Sequence, residues 1–388
     1  MDNIRKQHIK EYGDSPLVIA QVPGTCTLLG SYADACRGWS LVGTDHSSLY
    51  VAISYRDDQL VRLYNPTLND RKRFSLNNIK YRKEDRWGNF LKAVFSVLAS
   101  EGTEFTGMNI TVEGDLLHAD TQMVSTACSL GTCLALDALL DLKLSFSSQI
   151  RIAYQACTTF NNEVCSISDL LTMLNGNKET VLFYDLQHVT YKELPFPFTN
   201  KNEEYVAIIV DSKISPNAMR EEIRSKRKAI KRAFEKLSEY KSGGFMRDFP
   251  ESDLSGRVVP LDEEDRHICE YILMESRLAN DAASLLTEKD AVPYGKMMNR
   301  VQAGLRDLLE VTCPEVDWLT KRAGELNGCL GSVQVANGFS GNIMVLLSKQ
   351  ALPSYIGRLE DYEHIFGFHP RWYVFEGSDP AKVVFQAH

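Results

Sequence analysis

Two stretches carry residue types whose chemistry can be named directly. Asn337-Gly338-Phe339-Ser340-Gly341 lies between apolar runs. Glycines there suit a phosphate-cradling loop, because a backbone without Cβ approaches oxygens closely, and they suit a hairpin turn as well. The segment Met219 to Tyr240 holds Arg220, Arg224, Lys226, Arg227, Lys228, Lys231, Arg232 and Lys236 opposite a stripe of Ile223, Ile230, Phe234 and Leu237. Such a helix gathers an anion or presents a solvated face, and the apolar stripe favours the solvated face. No G-x-x-x-x-G-K-[ST], G-x-G-x-x-G or H-E-x-x-H run occurs. The eight histidines are dispersed and the nine cysteines form no C-x-x-C pair, so no metal site or disulfide framework is expected. Cys128 and Cys133, five apart on an apolar helix, read as core cysteines.

The elements that must position these residues alternate irregularly. Val18 to Val22 and Leu49 to Tyr55 read as strands, the second with Leu49, Val51, Ile53 and Tyr55 on one face. The polar turn at 56–59 precedes a return strand, Leu60 to Tyr64, and Met108 to Val112 is a further strand. Trp87 to Leu98, Met123 to Leu140, Ile150 to Thr159 and Ser168 to Leu174 read as helices. Thr180 to Leu186 and Tyr205 to Asp211 are buried strands. Helices then dominate: Met219 to Tyr240, Glu263 to Leu286, Gly295 to Glu310 and Val316 to Leu326. Arg371 to Phe375 and Lys382 to Phe385 close the chain as strands. Mixed elements without a βαβ period imply an α+β fold.

The 388 residues allow two or three domains, and 44% hydrophobic with 24% charged residues is a balance that can bury a core. Lys+Arg 43 against Asp+Glu 51 leaves a net charge of −8, so a nucleic-acid partner is not expected. Met1 to Asp14 has no apolar run of a signal peptide. Ser125, Thr126, Ser129, Thr132 and Asp137 argue against a membrane span in Met123 to Leu140. A cytoplasmic protein is expected.

Later segments resemble a galactokinase signature. Tyr294 to Asn299 (Y-G-K-M-M-N) and Gly304 to Asp317 (G-L-R-D-L-L-E-V-T-C-P-E-V-D) are similar to F-G-x-L-M and S-L-R-D-x-Y-E-V-S-C-P-E-L-D. Galactokinases belong to the GHMP small-molecule kinases (galactose, homoserine, mevalonate and phosphomevalonate). Val22 to Asp34 stands where that family has A-P-G-R-V-N-L-I-G-E-H-T-D, and Trp87 to Lys92 resembles W-x-N-Y-x-K, whose Trp flanks the adenine site. Gly114 opens the position of the phosphate loop G-x-x-P-x-G-x-G-L-S-S-S-A-A. Cys165 to Asp169 falls on C-G-I-M-D, and Gly331 to Gly341 on the third motif, G-A-R-M-T-G-G-G-F-G-G. The resemblance spans Pro23 to Val384. It implies a two-domain GHMP kinase-like architecture with a cleft between the domains. The N-terminal domain would take 1–165 with a strand near 380–388, and the C-terminal domain 166–379.

By the same resemblance Asp169 is the catalytic base, and Asp34, Ser31 and Tyr32 occupy the sugar-binding positions. Trp87, Ser125, Gly338, Phe339 and Gly341 occupy nucleotide-binding positions. Several positions depart from the pattern. Thr25 replaces an Arg, Ser31 and Tyr32 replace Glu and His, and Ala119 and Thr121 replace loop glycines beside Asp120. Met123 and Val124 remove two hydroxyls, Val333 and Val335 replace Arg and Thr, Asn337 replaces a glycine, and Val301 and Gln302 replace Ser and His. Phosphoryl transfer rests on positioning and charge stabilisation. Losing both suggests a degenerate kinase that binds a sugar or another small metabolite. An active galactokinase or related sugar kinase using ATP and Mg2+ is the alternative, and a scaffold for a protein partner the second alternative.

Overall fold

The computed structural model describes residues 1–118, 121–202, 204–214, 220–241, 244–335 and 341–387. In chain order the elements begin with α1 (Asp2–Tyr12), β1 (Val18–Leu29), β2 (Trp39–Tyr55), β3 (Leu60–Asn65), β4 (Asp70–Ser75) and α2 (Gly88–Ser100). They continue with β5 (Met108–Gly114), α3 (Thr121–Leu140), α4 (Phe146–Gln155), α5 (Ile167–Asn175), β6 (Thr180–Asp185), β7 (Thr190–Pro195) and β8 (Tyr205–Asp211). Next come α6 (Arg220–Ser238), α7 (Glu251–Ser255), α8 (Glu263–Glu288), α9 (Ala291–Asp307) and α10 (Pro314–Gly324). The last are β9 (Cys329–Gln334), β10 (Asn342–Ser348), α11 (Leu352–Phe366), β11 (Arg371–Val374) and β12 (Lys382–Gln386). The fold is α+β with two compact units.

The first unit comprises Met1–Thr25, Thr44–Asn177 and Ser378–His388. Its strands follow the order β12-β1-β2-β5-β3-β4. Apolar residues fill both faces. Leu49, Val51 and Ile53 join the core under α2 and α3, while Ile19 and Ala52 pack against Ile4 of α1. Two helical layers therefore explain why Leu49 to Tyr55 lacks a clean polar alternation. The strand after the 56–59 turn does not return against β2. β5 lies between them, antiparallel to β2 (Val51 opposite Val112) and parallel to β3 (Leu63 opposite Ile110), and β3 pairs with β4 instead. Sequential strands are neighbours only about two-thirds of the time.

α3 is long and apolar enough, by length and composition, to cross a membrane, which its scattered polar residues had argued against. Most of it is buried: Ala127, Cys128, Leu130, Cys133 and Ala135 are inaccessible to solvent in the first unit's core. Small residues allow that close packing, and Cys128 and Cys133 are core residues as expected.

The second unit comprises Cys26–Gly43 and Lys178–Gly377. Its four-stranded sheet, β11-β8-β10-β9, is antiparallel throughout. Period-two alternation divides the strands between two cores. Ala207, Ile209, Met344 and Leu346 face residues of α6, α8 and α9. Val206, Ile208, Val210, Ile343, Val345 and Leu347 face residues of α10 and α11. β6 and β7 form a hairpin, and β6 pairs with Trp39–Val42 of β2.

The unit boundaries differ from a division at 165/166. Residues 166–177 belong to the first unit, because Leu170 and Met173 of α5 pack into its core. Residues 26–43 belong to the second, where Leu28, Leu29, Tyr32 and Leu41 are buried.

Candidate functional site

In the first unit, Asp169 sits in the opening turn of α5. Ser166 is the N-cap, its hydroxyl accepting the Asp169 backbone N–H at 3.2 Å. A carboxylate in that turn is favoured by the helix dipole. Thr25, near the middle of β1, donates its hydroxyl to Asp169 Oδ1 at 3.0 Å and lies 3.3 Å from the Met123 sulfur. Thr25 and Asp169 are both buried. The position that carries an Arg in the family signature thus holds a short hydroxyl bonded to the expected base.

Ser125 is inaccessible to solvent, and its hydroxyl lies 3.6 Å from the Cys157 sulfur. Hydrogen bonding from Cys165, with help from Ser129 and Ser125, holds the Cys157 thiol below its ordinary pKa against the opposing effect of burial. Thr126 bonds back to the Gln122 carbonyl at 2.9 Å. The Ser125 and Thr126 hydroxyls are thus engaged within the protein. Ala119 and Asp120 lie outside the described residues.

Trp87 is buried in the first core, and its indole N–H donates to Asp70 Oδ2 at 2.9 Å. Lys72 pairs with the same carboxylate at 3.2 Å. Burial raises the Asp70 pKa, but the bonds from Trp87 and Lys72 outweigh it and hold the carboxyl below its usual value. Trp87 and Asp70 border an open surface cleft of about 590 Å³ together with Asn69, Lys72, Glu84 and Arg86.

In the second unit, Ser31, Tyr32 and Asp34 lie on the turn after β1. Tyr32 is 2% exposed and belongs to the core, with the Arg227 guanidinium 4.7 Å above its ring. Burial pushes the Tyr32 phenol far above its ordinary pKa. Its position matches a sugar-binding residue, yet the ring is covered. Asp34 keeps a side chain 55% exposed and pairs with Arg227 at 3.6 Å. Ser31 donates its backbone N–H to Glu275 of α8 at 3.1 Å.

Sequence reasoning counted Arg227 only as part of a basic helix and did not single out Glu275. No spacing rule links positions so distant in the chain. The rest of that helix supports a solvated, paired face. Arg232 and Lys236 both bond Asp265, and they also pair with Glu264 and Asp262 respectively.

Val333 and Val335 are buried in the second unit's core, as is Val301. Gln302 accepts the Gln334 backbone N–H at 2.9 Å. Gly341 meets a packing need: a Cβ there would collide with the Ser212 hydroxyl, while Ser212 N–H donates to the Gly341 carbonyl at 2.7 Å. Asn337, Gly338, Phe339 and Ser340 lie outside the described residues. Among the described residues, no group of three or more His, Cys, Asp or Glu could hold a metal ion.

No protein-family model matches the chain. It is 29% identical over 394 residues to a Treponema pallidum (strain Nichols) protein named "Putative galactokinase", covering 99% of this chain and 97% of that protein. It is 26% identical over 378 residues to a galactokinase of Roseiflexus sp. (strain RS-1), covering 97% and 95%. The crystal structure of Lactococcus lactis galactokinase complexed with galactose superposes with a TM-score of 0.86 at 17% identity, covering 98% of this chain and 99% of that one. A Methanococcus jannaschii mevalonate kinase follows at TM-score 0.63 and 14% identity, covering 93% and 98%. With sequence and fold alike over nearly the whole length, the chain is galactokinase-like and shares the fold of the GHMP small-molecule kinases.

Proposed function

We propose that this chain is a degenerate kinase that binds a sugar or another small metabolite and has lost efficient ATP-dependent phosphorylation. The observation that carries the reading is the bond from the Thr25 hydroxyl to Asp169. Asp169 stands ready as an acceptor of a hydroxyl proton, but a general base supplies only about 10²–10⁴-fold of a kinase's rate enhancement. The remainder comes from cationic and hydrogen-bonding groups aimed at the transferring phosphoryl group. At Thr25 the chain offers a neutral hydroxyl instead of an arginine.

ATP and Mg2+ fit these residues poorly. A hard cation needs oxygen ligands, whereas a thioether and an isopropyl group stand at Met123 and Val124, and the Ser125 hydroxyl is bonded to a thiol. Asp34 is suited to a ligand's hydroxyl groups: its carboxylate is more than half exposed, and Arg227 steadies it from one side.

The full-length likeness to galactokinases, with Asp169 in place, favours an active sugar kinase as the second reading. Calorimetric titration with galactose and with ATP–Mg2+, followed by a turnover assay, separates the two. Galactose binding without nucleotide binding is expected. Sub-millimolar ATP binding with phosphorylation of galactose would overturn the reading in favour of the kinase.

A further inference from the structure

We infer that Glu275 of α8 is a positioning residue that holds the Ser31–Asp34 turn in its ligand-binding shape. The inference rests on the reading above that this turn meets a sugar. Glu275 Oε1 accepts the backbone N–H groups of Gly30 and Ser31 at 3.0 and 3.1 Å. The next residue, Ser276, accepts the backbone N–H of Trp39 with its hydroxyl at 2.9 Å. Two consecutive residues of one helix thus grip both ends of the segment from Gly30 to Trp39.

Gly30 makes the grip possible. Its φ of +82° belongs to the left-handed region, and a Cβ there would collide with the Trp39 carbonyl. Successive backbone N–H groups around such a residue form a concave anion-binding arrangement. Here a side chain of the protein fills it. The short helix that follows, Ala33–Cys36, has no side-chain cap of its own at Tyr32. The Gly30 and Ser31 amides therefore depend on α8, whereas Ala33 N–H finds the Gly30 carbonyl within the turn at 3.1 Å.

A buried carboxylate is a costly acceptor, since removing it from water disfavours its charged form. Burial does raise the Glu275 pKa, and the N–H groups of Ser31 and Gly30, the Tyr271 hydroxyl and the Tyr32 N–H oppose the shift. Glu275 is 2% exposed and shares its burial with the Tyr271 hydroxyl one helical turn earlier. Core packing alone has no need of such a group. What it achieves is local: Tyr32 is driven inward beneath Arg227, while Asp34, two residues on, stays exposed beside the same guanidinium.

The test uses full-length Glu275→Gln, Glu275→Asp and Glu275→Ala proteins, with galactose as probe and temperatures well below each melting point. Glu275→Gln keeps an acceptor at the same reach and should hold galactose affinity within about threefold. Glu275→Asp keeps the charge but withdraws the acceptor by one methylene, and should weaken galactose at least tenfold. It should also speed amide hydrogen exchange at Gly30 and Ser31. Glu275→Ala should do the same if it folds, and the Asp variant decides the matter if it does not. Wild-type affinity and amide protection in Glu275→Asp would overturn the inference, as would a Gln variant as impaired as the Asp one. Amide exchange reads the grip without ligand. A wild-type protein that binds no galactose therefore overturns the sugar-site reading and the ligand-binding role with it, while protected amides would still locate the grip.

Discussion

The Thr25 hydroxyl points at Asp169, 3.0 Å from Oδ1. In a degenerate kinase this bond is structural: it satisfies a buried carboxylate. Thr25→Val, nearly isosteric, removes the donor and should lower stability by about 1–2 kcal/mol, measured by urea unfolding at neutral pH. Thr25→Arg restores the family's charge but enters a buried site against Met123. It should destabilise by about 1–3 kcal/mol through overpacking. It should also leave galactose phosphorylation undetectable, since the loop departures remain. Robust turnover in the Arg variant would show that a single residue had silenced the enzyme.

Trp87 offers an optical test of nucleotide binding. Its indole is fixed by Asp70 at the border of an open cleft. With the other three tryptophans replaced by Phe, ATP–Mg2+ should leave Trp87 fluorescence unchanged. A saturable quench would mean that the adenine position works. Asp70→Ala should shift the emission, because the N–H loses its acceptor.

His8 should make the first unit acid-sensitive. Its ring nitrogens lie 2.9 Å from the Thr111 and Ser54 hydroxyls beneath α1, and burial lowers its pKa to about 4. The unfolded chain takes up a proton near pH 6.5 that the folded one refuses. The stabilisation is therefore complete above pH 6.5 and disappears as pH falls towards 4. The loss should approach about 3 kcal/mol. Urea titrations between pH 7 and pH 4 should show this slope in wild type and a shallower one in His8→Gln. Equal slopes would remove His8 as its source.

Asp265 joins α6 to α8. Its carboxylate is inaccessible and receives Arg232 Nε at 3.0 Å, Arg232 Nη2 at 2.7 Å and Lys236. Both cations are nearly half exposed and can turn to water when released. Asp265→Asn should therefore cost about 2 kcal/mol, the range of one charge-assisted bond, rather than the larger penalty of a stranded buried charge. Thermal melts at low and high salt would check it, with the difference from wild type expected to persist in salt.

A continuous apolar run made β8 legible, because the strand feeds two cores, whereas β10 showed only as an apolar run beside the glycine turn. Periodicity failed for β4 and β7. D-R-K-R-F-S and T-Y-K-E-L-P carry the charges that strands at sheet margins tolerate, and only pairing makes them strands. α1 showed only its charge, although Ile4 and His8 turn one face inward. At the candidate site, Asp34 and Asp169 were recognisable by register in their motifs. Arg227 and Glu275 were not, since their roles arise from tertiary contacts that no local pattern encodes. Ser125 was legible in identity alone: its position suggested a nucleotide, and its hydroxyl bonds a core cysteine.

β1 pairs with β12, Val18 opposite Gln386, and the long segment 178–377 of the second unit lies between them in the chain. Time therefore enters the folding of the first unit. On the ribosome, β1 emerges early and must wait for that whole segment before β12 can cover its edge. An unpaired strand edge invites association with other chains. Throughout that interval the nascent first unit also carries α3, as apolar as a membrane-crossing helix. A nascent chain arrested before β12 should be the form most dependent on chaperones.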